Sequence, residues 1–184
     1  SFDEDGLGST SLSGSDVDGD DLTYSITGGS DITAELTGSD VSFSAPADYN
    51  GSEIFSVSVS DAEYTDSQSI TVTVNAVNDA PVANAASATT SEDQNVVVPL
   101  TASDIDGDAL SFSLDTDASN GSVTIDGSFA SYIPAQDFNG SDSFIFSVSD
   151  GELSATAQVT LTVESVNDAP VLAAVSDVSF DEDG

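Results

Sequence analysis

The sequence contains no lysine, arginine, histidine or cysteine, against 34 aspartates and glutamates, so its formal net charge is −34. Because no side chain can neutralise a phosphate, nucleic acid is excluded as a partner. An anionic membrane surface is disfavoured for the same reason. No apolar run approaches the roughly 20 residues of a membrane span, so we expect no direct membrane insertion of this stretch.

The absent residue types also exclude most catalytic chemistry. Without histidine, cysteine and lysine, the usual pairs of nucleophile and base cannot be assembled. The remaining catalytic possibility is a pair of carboxylates of the glycosidase type, and such a pair needs a defined cleft. The sequence therefore predicts a protein that is not an enzyme. The lack of cysteine also excludes disulfides and leaves the redox compartment open.

The charge has to be balanced from outside the chain. Apolar residues make up 38% of the sequence, and regularly placed valine, isoleucine and phenylalanine argue against plain disorder. A compact state must then contend with its own repulsion. Clustered carboxylates need either raised pKa values or a bound metal.

Four segments of the sequence recur in the same order at a spacing of 88 or 89 residues. For example, the letters VNDAPV stand at 77–82 and again at 166–171. A period of this length fits a small domain and is too long for a solenoid unit. We predict one repeat at 1–81, a second at 82–170, and the start of a truncated third at 171–184. The letters SFDEDG, found at 1–6 and 179–184, mark equivalent points of the period.

The secondary structure is predicted to be all-β. In each repeat, apolar residues alternate with serine or threonine, which is the pattern of half-buried strands. No helical period is present. The alternating segments are Leu22–Ile26, Val41–Phe43, Glu53–Ser60 and Ser69–Val74, and in the second repeat Leu110–Leu114, Ser131–Ile133, Ser143–Ser149 and Gln158–Val163. Each repeat is expected to form a small antiparallel β-sandwich.

Several acidic residues have the spacing of metal ligands. Asp104, Asp106 and Asp108 stand at alternate positions beside a glycine. This spacing suits a hard cation, which takes six to eight oxygen ligands. The same pattern is also typical of a solvated turn, and it departs from the EF-hand in its glycine and glutamate positions.

The acids of each repeat follow one order along the chain: an early Glu, an Asp-x-Asp, an Asp-x-Glu and an Asn-Asp-Ala-Pro exit. This set resembles the cadherin-like tandem repeats of very large bacterial surface adhesins, and the likeness covers essentially the whole chain. It implies tandem Greek-key β-sandwiches of cadherin/Ig-like type. The first exit position holds Asn75 in one repeat and Glu164 in the other, where the family has aspartate.

The resemblance implies calcium sites between neighbouring repeats of the same chain. For the first junction it implies as ligands Glu4, Asp61, Glu63, Asn78, Asp79, Asp104 and Asp106. For the next junction it implies Glu92, Asp150, Glu152, Asn167 and Asp168. Asp16 and Asp18 would serve a junction with a preceding repeat.

The expected function is that of calcium-rigidified extender repeats in a large secreted or cell-surface adhesin, projecting its distal adhesive domains. The alternative is a recognition module that binds a glycan or a cell-surface protein directly. Either role implies an extracellular or cell-surface location on a bacterium, in a saline environment.

Overall fold

The computed structural model describes residues 1–179 and 182, which divide into two compact units, Ser1–Asp79 and Ala80–Gly184. Within the described residues the secondary structure consists of strands and turns without a helix, so none of them forms a helix that could cross a membrane. The prediction of an all-β sandwich fold is confirmed. The exact repeat boundaries stay a prediction.

The first unit contains seven strands in two sheets. One sheet has the order β1-β7-β6-β3 and the other has the order β2-β5-β4. The strands are β1 (Phe2–Asp3), β2 (Gly8–Ser11), β3 (Thr23–Gly28), β4 (Thr33–Thr37), β5 (Asp40–Ser44), β6 (Gly51–Ser60) and β7 (Thr65–Asn75).

The second unit repeats this arrangement and adds a short strand pair. Its sheets have the orders β12-β15-β16-β9 and β10-β14-β13, and β11 pairs with β8. The strands are β8 (Val82–Asn84), β9 (Ala86–Ser91), β10 (Val96–Pro99), β11 (Thr101–Ser103), β12 (Ser111–Thr116), β13 (Gly121–Asp126), β14 (Phe129–Pro134), β15 (Gly140–Ser149) and β16 (Ser154–Glu164).

The two units share one register as well as one topology. Tyr24 lies opposite Val59 in the first unit, and Phe112 lies opposite Val148 at the equivalent place in the second. All eight alternating segments of the sequence lie in or overlap strands. Among the described residues, each unit also contains one parallel pairing, β1 with β7 and β9 with β16, between a strand near its start and its last strand. All the other strand pairs are antiparallel.

Alternation along the strands builds one core in each unit, because every second side chain points inward. In β15 the buried residues Phe144, Phe146 and Val148 alternate with partly exposed neighbours. The core of the second unit is completed by Val98, Leu100, Val123, Ala130, Tyr132, Val159, Leu161 and Val163. The core of the first unit is smaller and consists of Phe2, Ile32, Val41, Phe43, Phe55, Val72 and Val74.

The segment predicted to begin a third repeat is described only up to Ser179 and at Glu182. Residues 171–179 are exposed and form no strand. The rest of the second SFDEDG copy lies outside the described residues.

Candidate functional site

Three aspartates of the first unit meet where strands end. Asp5, Asp48 and Asp79 each place a carboxylate oxygen within 4.8 Å of the others. Asp5 follows β1, Asp48 precedes β6, and Asp79 lies in the segment after β7. The backbones of Asp5 and Asp48 are left-handed, with φ of 59° and 57°, a conformation that aspartate tolerates better than most residues. The Asp48 backbone N–H also points at Asp5 Oδ1, at 3.4 Å. We call this group the first trio.

The second unit builds the same group from the equivalent residues. Asp93, Asp137 and Asp168 place carboxylate oxygens within 4.8 Å of one another, and we call them the second trio. Asp93 and Asp137 again have positive φ, 61° and 56°. The Asp137 backbone N–H donates to Asp93 Oδ1 at 3.2 Å. The trio is therefore a property of the repeat and is not confined to one unit.

A buried glutamate anchors the exit segment beside each trio. Glu4 is 7% exposed and Glu92 is 4% exposed, although both are charged. Each accepts the backbone N–H of the valine that precedes Asn-Asp-Ala-Pro, which is Val77 in the first unit and Val166 in the second. Glu92 Oε2 also accepts from the Asn139 amide at 3.2 Å. These bonds fix the exit segment and so bring its aspartate to the other two.

The second trio combines burial with electrostatic repulsion. Burial raises the pKa of the Asp168 carboxyl, and the negative charges of Asp137, Glu92 and Asp93 raise it further. No lysine, arginine or histidine exists in the chain to relieve this repulsion. Such a group of carboxylates could hold a hard divalent cation, whose charge would replace the missing positive side chains.

A further acidic group lies between β11 and β12. Asp104, Asp106 and Asp108 have carboxylate oxygens within 4.8 Å of one another. Asp104 Oδ1 accepts the Asp108 backbone N–H at 3.2 Å, and Gly107 has a φ of 82°.

The equivalent loop of the first unit forms a tight turn around one aspartate. Asp16 Oδ1 accepts the backbone N–H groups of Asp18 at 2.8 Å and of Gly19 at 2.9 Å. Asp16 and Asp18 belong to none of the acidic groups found within the described residues.

The family model of the bacterial Ig domain matches residues 1–73 and 78–162. The chain belongs to the bacterial Ig domain family. No curated protein matches it.

Solved structures similar to this Ig-domain chain include two protocadherin fragments. Human protocadherin-24 EC1-2 is 19% identical, with a TM-score of 0.58, and the match covers 88% of each chain. Protocadherin gamma B7 domains 1–4 are 14% identical, with a TM-score of 0.50 over 88% of this chain and 47% of that one. At these identities the likeness shows the fold alone.

The chain also matches an endo-fucoidan hydrolase of glycoside hydrolase family 107. The two are 22% identical, with a TM-score of 0.39 over 90% of this chain. The match spans only 27% of the hydrolase chain, and it spans 24% of the H294Q variant of the same hydrolase.

The Asp-x-Glu motifs shape the turns after β6 and β15. Asp61 Oδ1 accepts the backbone N–H groups of Glu63 at 2.8 Å and Tyr64 at 2.6 Å, and these bonds lower the pKa of the Asp61 carboxyl. In the second Ig domain, Asp150 Oδ1 accepts the equivalent backbone N–H groups, of Glu152 at 2.6 Å and Leu153 at 2.7 Å. None of the four acids belongs to an acidic group among the described residues, and their role as ligands stays a prediction.

The exit asparagines orient their own segment. The amide of Asn78 donates to the Asp79 carbonyl at 3.3 Å, and the amide of Asn167 donates to the Asp168 carbonyl at 3.1 Å. The prediction that Asp104 and Asp106 join acids of the preceding repeat concerns the relation between the two domains, and it too stays a prediction.

Four aspartates of the trios were absent from the predicted ligand set, namely Asp5, Asp48, Asp93 and Asp137. Their signal was present in the repeat itself, since Asp48 and Asp137 open the recurring letters DYNG and DFNG. An aspartate that returns at the same place in both repeats, beside a strand end, was the feature that could have identified it.

Proposed function

We propose that this chain is a calcium-stabilised extender segment of a large secreted or cell-surface bacterial adhesin, in which Ig domains in series hold distal adhesive domains away from the cell. One observation carries the proposal. Equivalent aspartates build the same trio in both domains, in a chain that has no cationic side chain.

Calcium is the ion that fits this ligand chemistry best. It binds carboxylate and carbonyl oxygens in flexible geometry, whereas magnesium demands a near-ideal octahedron and keeps several waters. Asp5, Asp48 and Asp79 would hold the ion in the first domain, and Asp93, Asp137 and Asp168 in the second. The ion would supply fixed positive charge at the end of each domain, and the chain's own residues orient the ligands through Glu4 and Glu92.

The extender role follows from repetition and from missing chemistry. Two domains of one topology follow each other in sequence, and the residue types of nucleophilic catalysis are absent. We therefore propose a non-catalytic role outside the cell. The family resemblance adds Asp61, Glu63, Asp104 and Asp106 as partners in a calcium site at the junction, which would stiffen the segment.

The first experiment tests the sites by calorimetric titration of calcium into the whole chain at 0.15 M NaCl. We expect dissociation constants of about 10⁻⁴–10⁻³ M, the range of extracellular modules. Asp48→Asn should weaken or remove binding in the first domain, and Asp137→Asn should do so in the second. The matched control is Asp126→Asn, because Asp126 is exposed and belongs to no acidic group of the described residues. If all three variants bind calcium equally, the ion is only a diffuse counterion and the sites do not exist.

A second experiment separates the extender role from metal binding itself. The distance between labels at the two ends of the chain is measured in calcium and in chelator. A longer and narrower distance distribution in calcium supports the extender. An unchanged distribution, with calorimetric binding intact, rejects stiffening and leaves the sites standing. Binding to a glycan array at millimolar calcium would instead favour a recognition module.

A further inference from the structure

The letters Asn-Gly-Ser occur three times in the chain, at 50–52, 120–122 and 139–141. Each asparagine stands immediately before a strand, β6, β13 or β15, where Asn-Gly suits a tight turn. Asparagine before glycine is also a chemically reactive pair, because glycine has no side chain to shield its backbone nitrogen. Since the three triplets share one local sequence, we attribute differences in their reactivity to the fold.

The fold holds the backbone of Asn120 in place. Its N–H donates to Asp142 Oδ2 at 2.9 Å, and its carbonyl accepts from the Ala135 N–H at 2.8 Å and from the Tyr132 hydroxyl at 3.3 Å. Gly121 is crowded as well, since a Cβ placed there would clash with the Tyr132 ring. A rotation that brings the Asn120 side chain onto the Gly121 nitrogen would turn the carbonyl away from both of its donors.

Asn139 lies in a more open setting. Its side chain is exposed, and so is that of Asn50, its equivalent in the first unit. A Cβ added at Gly140 would find its nearest contact at 3.7 Å, on the Phe138 ring. The side-chain amide of Asn139 donates to Glu92 Oε2 at 3.2 Å. Asn139 therefore has the exposure and the room that a reaction with the next backbone nitrogen requires.

We propose that Asn139 is a site of spontaneous covalent modification, at which its amide is converted to a carboxylate by the chain's own backbone and water. In the first step the Gly140 backbone nitrogen attacks Cγ of Asn139. An N–Cγ bond forms, the Cγ–Nδ2 bond breaks, and the proton of the attacking nitrogen leaves with Nδ2 as ammonia.

Water then opens the cyclic imide that the first step forms. Addition at Cγ breaks the new bond and gives aspartate. Addition at the backbone carbonyl carbon breaks the original peptide bond and gives isoaspartate, in which the chain runs through the former side chain. Either product differs from asparagine by the exchange of ammonia for water, so water is the only co-reactant.

The modification changes a contact on which the exit segment depends. Before it, the Asn139 amide donates to Glu92, which is 4% exposed and accepts the Val166 backbone N–H. After it, a carboxylate faces the Glu92 carboxylate, so a like charge replaces a donor. The chain has no basic side chain to relieve the repulsion. The anchor of the exit segment is thereby weakened.

The exit segment carries Asp168 of the second trio. A weakened anchor would displace Asp168 and reduce calcium binding in the second domain, and this consequence rests on the proposed function. The modification itself needs no calcium, so both tests below are carried out in chelator and stand apart from that function. Its effect would be a slow and irreversible loosening of one domain as the protein ages.

The first test follows the triplets in the whole folded chain by peptide mass mapping, under mildly alkaline conditions in isotope-labelled water. Base promotes the first step, because the attacking nitrogen must lose its proton, and the label marks only asparagines converted during the incubation. The rate of each triplet in concentrated urea, where the fold is absent, serves as its reference.

Relative to these references, Asn139 should be converted at least about tenfold faster than Asn120, because the carbonyl bonds of Asn120 must open first. Equal relative rates at the two residues would overturn the proposal. So would an unreactive Asn139 in the folded chain when the triplets react in urea.

The second test measures the melting temperature of the second unit, followed by Tyr132 fluorescence with the other three tyrosines replaced by phenylalanine. Asn139→Asp should lower it by at least about 4 °C, and by more than Asn139→Ser, which removes the amide without adding charge. Asn84→Asp is the matched control, because it adds the same charge at an exposed site and should change the melting temperature little. The chain without the Asn139 substitution, once aged, should show the same decrease, which keeps the test independent of how the variant folds. Equal melting temperatures for Asn139→Asp and Asn84→Asp would refute the effect on the exit segment.

Discussion

A buried carboxylate in the second Ig domain offers the sharpest test of how this chain is stabilised without basic residues. Asp142 is 8% exposed and accepts four hydrogen bonds. Oδ1 accepts the backbone N–H groups of Ser119 at 3.1 Å and Ser143 at 2.9 Å. Oδ2 accepts the Asn120 backbone N–H and the Tyr132 hydroxyl, each at 2.9 Å. The negative charge is thus held entirely by neutral donors.

We expect Asp142→Asn to destabilise the second domain by about 2–4 kcal/mol. The asparagine amide nitrogen would take the place of either Oδ1 or Oδ2. In either position it would face two hydrogen-bond donors and could accept from neither. Each lost bond to a charged acceptor contributes about 1.5–3 kcal/mol. One loss is partly offset, because the Tyr132 hydroxyl can keep its bond to the Asn120 carbonyl, at 3.3 Å.

The effect should depend on pH in a definite direction. Burial acts to raise the pKa of the Asp142 carboxyl, but the bonds from Asn120, Ser143, Tyr132 and Ser119 outweigh it and hold that pKa below its usual value. A lowered pKa in the folded state stabilises the fold at pH values above the pKa of the unfolded state, which is about 3.9 for aspartate. That stability is lost as the pH falls through the folded pKa. The difference in unfolding free energy between wild type and Asp142→Asn should therefore be largest near pH 6 and should shrink below about pH 4.

The assay is urea unfolding followed by tyrosine fluorescence. Tyr132 is the sole tyrosine of the second unit, so a background in which Tyr24, Tyr49 and Tyr64 are phenylalanine reports that unit alone. Asp126→Asn is the control for removing one negative charge and should stay within about 0.5 kcal/mol. Equal unfolding free energies for the two variants, or a difference that grows as the pH falls, would refute the reasoning.

Three further predictions concern the same kind of contact. Tyr132→Phe should lower the unfolding free energy of the second domain by about 1–2 kcal/mol, because it removes the hydroxyl donor to Asp142. Burial and that bond raise the pKa of the Tyr132 phenol. In the background where Tyr132 is the sole tyrosine, an alkaline ultraviolet titration should therefore show it ionising above the usual tyrosine pKa of about 10, and ionisation near that value would contradict this. In the first domain, Glu53 accepts hydrogen bonds from the backbone N–H groups of residues 30, 31 and 32. These bonds lower the pKa of the Glu53 carboxyl, and those from residues 31 and 30 have the largest effect. Glu53→Gln should therefore lower the melting temperature of that domain near pH 6, and the decrease should be smaller below the usual glutamate pKa. The control is Glu35→Gln at an exposed site, which should leave the melting temperature unchanged. Equal melting temperatures for the two variants would refute the role of Glu53.

The strands could be predicted from sequence where one face is buried. In β15 and β16 buried apolar residues return at every second position and fix both the strand and its register, because a slip of one residue would turn the core outward. β4, at Thr33–Thr37, was missed because its two apolar residues, Ala34 and Leu36, give too short an alternating run. The parallel pairing of β1 with β7 joins the two ends of a unit, and a local sequence pattern does not predict a contact between residues so far apart in the chain.

The candidate site was only partly predictable for a related reason. Asp79 and Asp168 stood out because they belong to a recognisable exit motif. Asp5 and Asp48 come from two other loops, and their meeting depends on left-handed backbone at both residues. Spacing along the chain cannot reveal a contact between residues 43 positions apart, although the recurrence of both acids in the second repeat hinted at it.

The directions of the pKa shifts separate two classes of carboxylate in this chain. With no basic side chain available, backbone N–H groups, hydroxyls and side-chain amides are the internal donors that can hold a negative charge. Where several converge, as at Asp142, the pKa falls and the acid belongs to the architecture. Where carboxylates face one another, as at Asp168, burial and then the neighbouring negative charges raise the pKa, and the fold alone leaves the charge poorly compensated. We therefore propose that calcium acts where carboxylates face one another, as in the trios, rather than through acidity in general.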